Sequence, residues 1–118
     1  MSQYNEGPKA FIATNDLEAC RRVKLTAGKG DAVEYAGAGE SFIGITAAKV
    51  AAEEEVSVIL KPDGRTYKVT AAEALAAGAT LYGGADGKVQ DTVSGDAIGI
   101  ALEAATADGD IIEALLNK

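Results

Sequence analysis

Ile43-Gly44-Ile45 returns later in the chain as Ile98-Gly99-Ile100. Held at that spacing, Glu53 falls on Asp108, Glu55 on Asp110, Val56 on Ile111 and Leu60 on Leu115. Each half then reads as an aliphatic-Gly-aliphatic strand, an Ala-rich acidic connection and a second aliphatic strand. Upstream, Gly30-Asp31-Ala32-Val33 matches Gly78-Ala79-Thr80-Leu81 loosely and at a different spacing, so the half-repeats, about 28–60 and 76–116, have diverged by insertion. Two copies of so long a unit do not make a solenoid, which needs several stacked repeats. The simpler solution is two half-barrels closing on each other about a pseudo-twofold axis. Glycine inside a strand marks a bend or a close approach of backbones. Gly44 and Gly99, at equivalent places, are therefore expected where the halves cross.

The stretches around these signatures are short and alternating. Arg22–Thr26, Ala32–Tyr35, Ser41–Thr46, Val56–Leu60, Thr66–Thr70, Thr80–Tyr82, Lys88–Asp91, Ala97–Leu102 and Ile111–Leu116 read as strands, separated by Gly-containing turns such as Lys61-Pro62-Asp63-Gly64-Arg65. Thr70 followed by Ala-Ala-Glu predicts a capped helix over 71–77, stopped by Gly78. Residues 1–15, polar at first and punctuated by Gly7-Pro8, read as an extended N-terminal arm ahead of a single domain over 16–118. The expected fold is mainly β: a small barrel- or sandwich-like module of two divergent half-repeats, with one short helix and the arm.

Composition narrows the function. A chain of 118 residues supports one modest core. Of its 47% hydrophobic residues, 24 are alanine, which suits tight turns and close packing better than a large ligand cavity. There is no histidine, hence no Ser-His-Asp or Cys-His arrangement and no imidazole metal site. Cys20 is the one cysteine, so there is no disulfide framework. A net charge of −7 speaks against a nucleic-acid surface, and no apolar run is long enough to cross a membrane. The opening residues lack a signal-peptide core, which leads us to expect synthesis in a cytoplasm.

The charge is uneven. Residues 1–30 carry five bases (Lys9, Arg21, Arg22, Lys24, Lys29) against three acids, whereas the remainder carries six bases against fifteen acids. Either the basic leading segment docks on an acidic partner or a neighbouring copy, or this is ordinary surface scatter. Gly37-Ala38-Gly39 and Gly83-Gly84 fit hairpin turns rather than phosphate loops. Glu53-Glu54-Glu55 fits a solvated run rather than a calcium loop. The residues assign no catalytic, cofactor or metal role.

Four stretches carry a family likeness: Tyr4-Asn5-Glu6-Gly7-Pro8-Lys9-Ala10, Arg21-Arg22-Val23-Lys24-Leu25, Ile98-Gly99-Ile100-Ala101-Leu102-Glu103-Ala104-Ala105, and Gly109-Asp110-Ile111-Ile112-Glu113-Ala114-Leu115-Leu116. In them the chain resembles the small decoration (cement, head-stabilising) proteins of tailed-phage capsids. The resemblance covers nearly the whole chain. It implies a non-enzymatic, β-rich virion protein, often trimeric, made in the host cytoplasm. Such a protein binds the major capsid protein on the outer capsid surface and secures capsomer junctions without a cofactor, nucleic acid or membrane. On that reading Tyr4 and Phe11 are apolar anchors for the shell or a neighbouring subunit, and Arg21, Arg22 and Lys24 are charge-assisted contacts. Core packing is the other reading of Phe11. The competing class is a biotinyl- or lipoyl-type carrier domain, also a small, acidic, twofold-repeated β-module. Its modifiable lysine would be Lys49 or Lys61, which follow Ala48 and Leu60 rather than Met or Asp.

Overall fold

In a computed structural model, which describes residues 8–28, 30–60 and 66–116, these residues form ten strands in two sets of five. The first set is β1 (Pro8–Ala13), β2 (Arg22–Leu25), β3 (Ala32–Tyr35), β4 (Gly44–Thr46) and β5 (Glu55–Leu60). The second is β6 (Thr66–Thr70), β7 (Thr80–Gly83), β8 (Val89–Gln90), β9 (Gly99–Ala101) and β10 (Ile111–Leu116). The first set closes into a barrel in the order β1-β3-β2-β4-β5, and the second forms a sheet in the order β6-β10-β9-β7-β8. These orders are the same topology twice. In the barrel, parallel pairing of Ala13 with Val33 completes the ring; in the second set a single parallel bridge from Ala71 to Val89 stands at the equivalent place, and the sheet curls into a half-barrel. The fold is mainly β and built from two half-repeats. The first half closes around its own core, whereas the core of the second half is completed by residues of the first, so the two do not close one barrel between them.

Three expectations are corrected. Residues 8–13, placed in the arm, are β1: Phe11 pairs with Val56 across β5 and Ile12 with Ala32 across β3. Alternation explains it, since Phe11 and Ala13 point into the barrel with Val23, Val33, Val56 and Val58. The repeat therefore begins with β1 and β6, well upstream of residues 28 and 76. Residues 1–7 of the expected arm lie outside the described residues, as does the 61–65 turn.

The helix expected over 71–77 is absent. Ala71 and Leu75 instead bridge Val89 and Ala105, and Glu73, the acid of the expected capping box opened by Thr70, accepts the N–H groups of Asp91 and Thr92 at 3.1 Å each. Burial of Ala71 and Leu75 in the second core outweighs the helical propensity of alanine. The helical turn that does form among the described residues is a 3-10 turn at Ala85–Gly87.

The third correction is one of register. Gly44 pairs with Leu60, whereas Gly99 pairs with Leu116. Leu60 thus corresponds to Leu116, and Val56 to Ile112, one residue later than constant spacing places them. The extra residue lies in the β9–β10 connection. The bridge of Leu17 to Val50 corresponds to that of Leu75 to Ala105, yet the bond from Glu53 N–H to the Ala13 carbonyl corresponds to that from Gly109 N–H to Ala71. A one-residue slip exchanges the faces of a strand. Buried Val56 would otherwise be matched to Ile111, which is 55% exposed.

With this register the backbone repeats in detail. Cys20 and Gly78 donate to the equivalent carbonyls of Thr46 and Ala101, and both have left-handed φ, 64° and 87°. Glu53 and Gly109 form a second such pair, at 73° and 98°. A side chain in that conformation costs roughly 1–2 kcal/mol, from which the greater unfolded-state freedom of glycine subtracts. Glu53→Gly is therefore expected to raise stability by about 0.5–1 kcal/mol in urea unfolding, and Glu53→Val to lower it. A destabilising Glu53→Gly would contradict the strain.

The halves meet asymmetrically. Ala36, Phe42 and Ile45 of the first half join the core of the second, with Ile59 packed against them. The outer face of β4 and β5 is thus covered by the second half.

Candidate functional site

The basic residues of the opening segment do not form one patch. Alternation along β2 turns Val23 into the barrel and leaves Arg22 and Lys24 on its outer side, where their surroundings diverge. Lys24 is held by Glu40 at 3.0 Å and Glu34 at 3.8 Å. The hydrogen bond to Glu40 raises the pKa of Lys24, and the same contact lowers that of Glu40. Arg21 donates from Nη1 to the Asp86 carbonyl at 3.0 Å and stands 5.3 Å over the Tyr35 ring, while its Nε is buried without a partner.

Arg22 is fully buried. Its guanidinium crosses the seam between the halves and ends in a nest of five backbone carbonyls. Nε donates to Lys88 at 3.0 Å and Nη1 to Glu40 at 3.3 Å. Nη2 donates to Ala36 at 3.3 Å, Gly37 at 3.1 Å and Gly84 at 2.5 Å. The Phe42 ring lies 5.4 Å away. Burial pushes the Arg22 pKa down to about 10, so the group keeps its charge at neutral pH. Arg22 is therefore a staple between the halves, and its donors are not available to an external partner.

The sequence does carry a signal for this nest. A Cβ on Gly83 would come within 2.7 Å of Arg22 Nη1, and one on Gly87 within 2.6 Å of its carbonyl oxygen. Gly83-Gly84 reads as a simple turn, yet Gly83 is the space cleared for the guanidinium, while Gly84 supplies a carbonyl to it. Beside it a cleft of about 350 Å³ is lined by Glu40, Phe42, Gly83, Asp96 and Ile98.

The remaining expected site residues divide as follows. Tyr4 lies outside the described residues. Phe11 is 7% exposed and packs inside the barrel, with the Lys9 ammonium 5.2 Å from its ring, so it is not an external anchor. Gly44 and Gly99 mark close approaches, but within each half, of β4 on β5 and β9 on β10, rather than between halves. Lys49 sits in the β4–β5 connection, exposed and 3.7 Å from Glu18. Lys61 lies outside the described residues. Among the described residues no cluster of acidic or thiol groups is placed to hold a metal ion. The feature that the sequence does not reveal is an apolar outer face on β9 and β10, carrying Ile100, Leu102, Ile111 and Leu115, each at least 36% exposed.

These features define a class: a two-repeat β-module pinned across its seam by a buried arginine. The family model for phage cement proteins matches residues 12–116, which takes in both halves. The chain belongs to the phage cement protein family, and with it to the structural proteins of the phage head. Among solved structures it is similar to the N base of head fiber gp8.5 in bacteriophage phi29. The TM-score is 0.75 at 19% identity over 93% of this chain and 92% of that one, a likeness of fold. No curated protein sequence matches the chain.

Proposed function

We propose that this protein is a decoration subunit that binds the outer surface of a tailed-phage capsid, contacts the major capsid protein and stabilises the junctions between capsomers. It acts as a homo-oligomer, a trimer being favoured, without catalytic chemistry, after synthesis in the host cytoplasm. The observation that carries this reading is the family match across both halves. The architecture suits that role. A body made rigid by its two cores and the Arg22 staple loses little conformational entropy on docking, and many copies on one shell multiply a modest contact. The carrier-domain alternative draws nothing from the family to which the chain belongs.

The test is co-sedimentation with emptied mature capsids of the parent phage. Saturable binding, with a rise in the temperature at which the shells rupture, is the expected result. A protein left wholly in the supernatant would remove the proposal. Residues 1–7 remain the proposed reach of the arm, with Tyr4 its apolar anchor. Because β1 begins at Pro8, deleting residues 1–7 is expected to keep the melting transition while weakening shell binding about tenfold, which is about 1.4 kcal/mol. Unchanged affinity would take Tyr4 out of the interface. Deleting residues 1–14 would remove a barrel strand and tests nothing about the arm.

A further inference from the structure

The two half-repeats are built alike but are not covered alike. In the first half Ile45 pairs with Ile59 across β4 and β5. In the second, Ile100 pairs with Leu115 across β9 and β10, in the same register relative to the glycine of each signature. Ile45 is 1% exposed because the second half lies on it, whereas Ile100 is 42% exposed.

Nor has the open face become polar. Its outward positions are more apolar than those of the covered one: Ile111 stands where the first half has Glu55, and Leu102 where it has Ala47. Four aliphatic side chains on adjacent strands make a patch on the order of a few hundred Å², the size at which exposed apolar surface marks an interaction site.

From this equivalence we propose that the outer face of β9 and β10 is where copies of this chain pack against one another, around Ile100 and Leu115. Within the chain, the first-half strand pair is covered by the inner face of the second half, which Ala36, Phe42 and Ile45 already fill; the apolar surface a second copy has left to offer is therefore this same open face. Charge agrees. Residues 31–118 carry a large acid surplus, yet on this face Glu113 lies directly across from Lys68 and accepts a hydrogen bond from Thr66 Oγ1 at 2.8 Å. Two such faces meet with their nearest charges already of both signs, while contact through the acidic remainder sets like charges together. The oligomer comes from the function proposed above. What is added is its contact face.

The experiment is sedimentation velocity across a concentration series on the full chain and on the double variant Ile100→Glu/Leu115→Glu, with circular-dichroism melting as the check on folding. We expect the wild-type chain to associate and the variant to be monomeric with its melting retained, self-affinity falling roughly 100-fold or more. Association undiminished in a folded variant would overturn the face, and a wild-type chain monomeric at all concentrations would overturn the self-contact itself. As a second measurement that does not depend on the variant folding, Ile100→Cys in a Cys20→Gly background is treated with a short bismaleimide. Covalent dimers are expected, since each chain then carries a single thiol, and their absence from a chain that associates would again overturn the face. Capsid co-sedimentation, run separately, decides the decoration reading. Its failure would leave the self-contact standing, and the reverse also holds.

Discussion

Arg22→Ala is expected to lose about 3–5 kcal/mol of folding stability, the sum of two buried carbonyls orphaned and three others weakened. Total stabilities are of order 5–15 kcal/mol, and the loss corresponds to a fall in melting temperature on the order of 15 °C. The reason lies in the carbonyls left behind. Those of Ala36, Gly37 and Lys88 also accept the N–H groups of Gly87, Glu40 and Gly84 and stay partly satisfied. Gly84 and Glu40 depend on the guanidinium more heavily, and a desolvated orphan acceptor costs roughly 1–3 kcal/mol. A methionine would refill much of the volume but donate nothing, so Arg22→Met should fare little better than Arg22→Ala. Arg22→Lys keeps the charge but not the planar fork that serves three carbonyls from Nη2 alone, so it should fall between. Urea unfolding followed by far-ultraviolet circular dichroism measures the series. A loss under about 1 kcal/mol for Arg22→Ala would show that water refills the nest and that the staple is dispensable.

The seam also explains where the sequence stops being legible. Strand positions are readable because alternation and Gly-rich turns are local, and all nine strands expected from the sequence are present. Pairing across the chain is readable only as far as the spacing stays constant. One added residue in the β9–β10 connection moves the partner of Leu60 from Leu115 to Leu116, and no local pattern records which of two adjacent aliphatic residues faces inward. Ile111-Ile112 and Leu115-Leu116 are both such doublets. β1 reads as arm because Gly7-Pro8 and Lys9 look like a loop. Its membership of the barrel rests on β3 and β5, contacts distant in sequence.

Arg22 is deceptive for a related reason. On β2 it has the outward phase of a solvent-facing residue, and only the second half makes that face interior. The same logic, in reverse, hides the apolar face of β9 and β10. Ile100 and Leu115 look like core residues in a sequence, and in the first half their counterparts are. Only the topology shows that, among the described residues, nothing lies over their own half. The symmetry of the halves can be read from the sequence. That they pack head to tail cannot.

Head-to-tail packing sets the last expectation, for Gly44 and Gly99. A Cβ on Gly44 would overlap the Ile59 carbonyl oxygen and come within 2.8 Å of Val58 Cγ1. One on Gly99 would overlap the Leu115 carbonyl oxygen and lie 3.0 Å from the Leu116 Cα. Backbone cannot swing aside as a flexible side chain can, so either alanine must spread a strand pair. Overpacking of this kind typically costs about 1–3 kcal/mol, occasionally more. The two sites are not equal. β4 and β5 are clamped between the barrel core and the second half, so spreading them disturbs Val58 on one side and the Ile45–Ile59 seam on the other. Gly44→Ala should therefore exceed that range, at about 4 kcal/mol. β9 and β10 can bow outward on the uncovered side, so Gly99→Ala should cost about 2 kcal/mol. Gly30→Ala is the control, because a Cβ there meets nothing within 4 Å. Thermal and urea unfolding of the three variants test the order. Equal losses at the two signature glycines would mean that the second half does not brace the first, and the asymmetry of the halves would lose its energetic meaning.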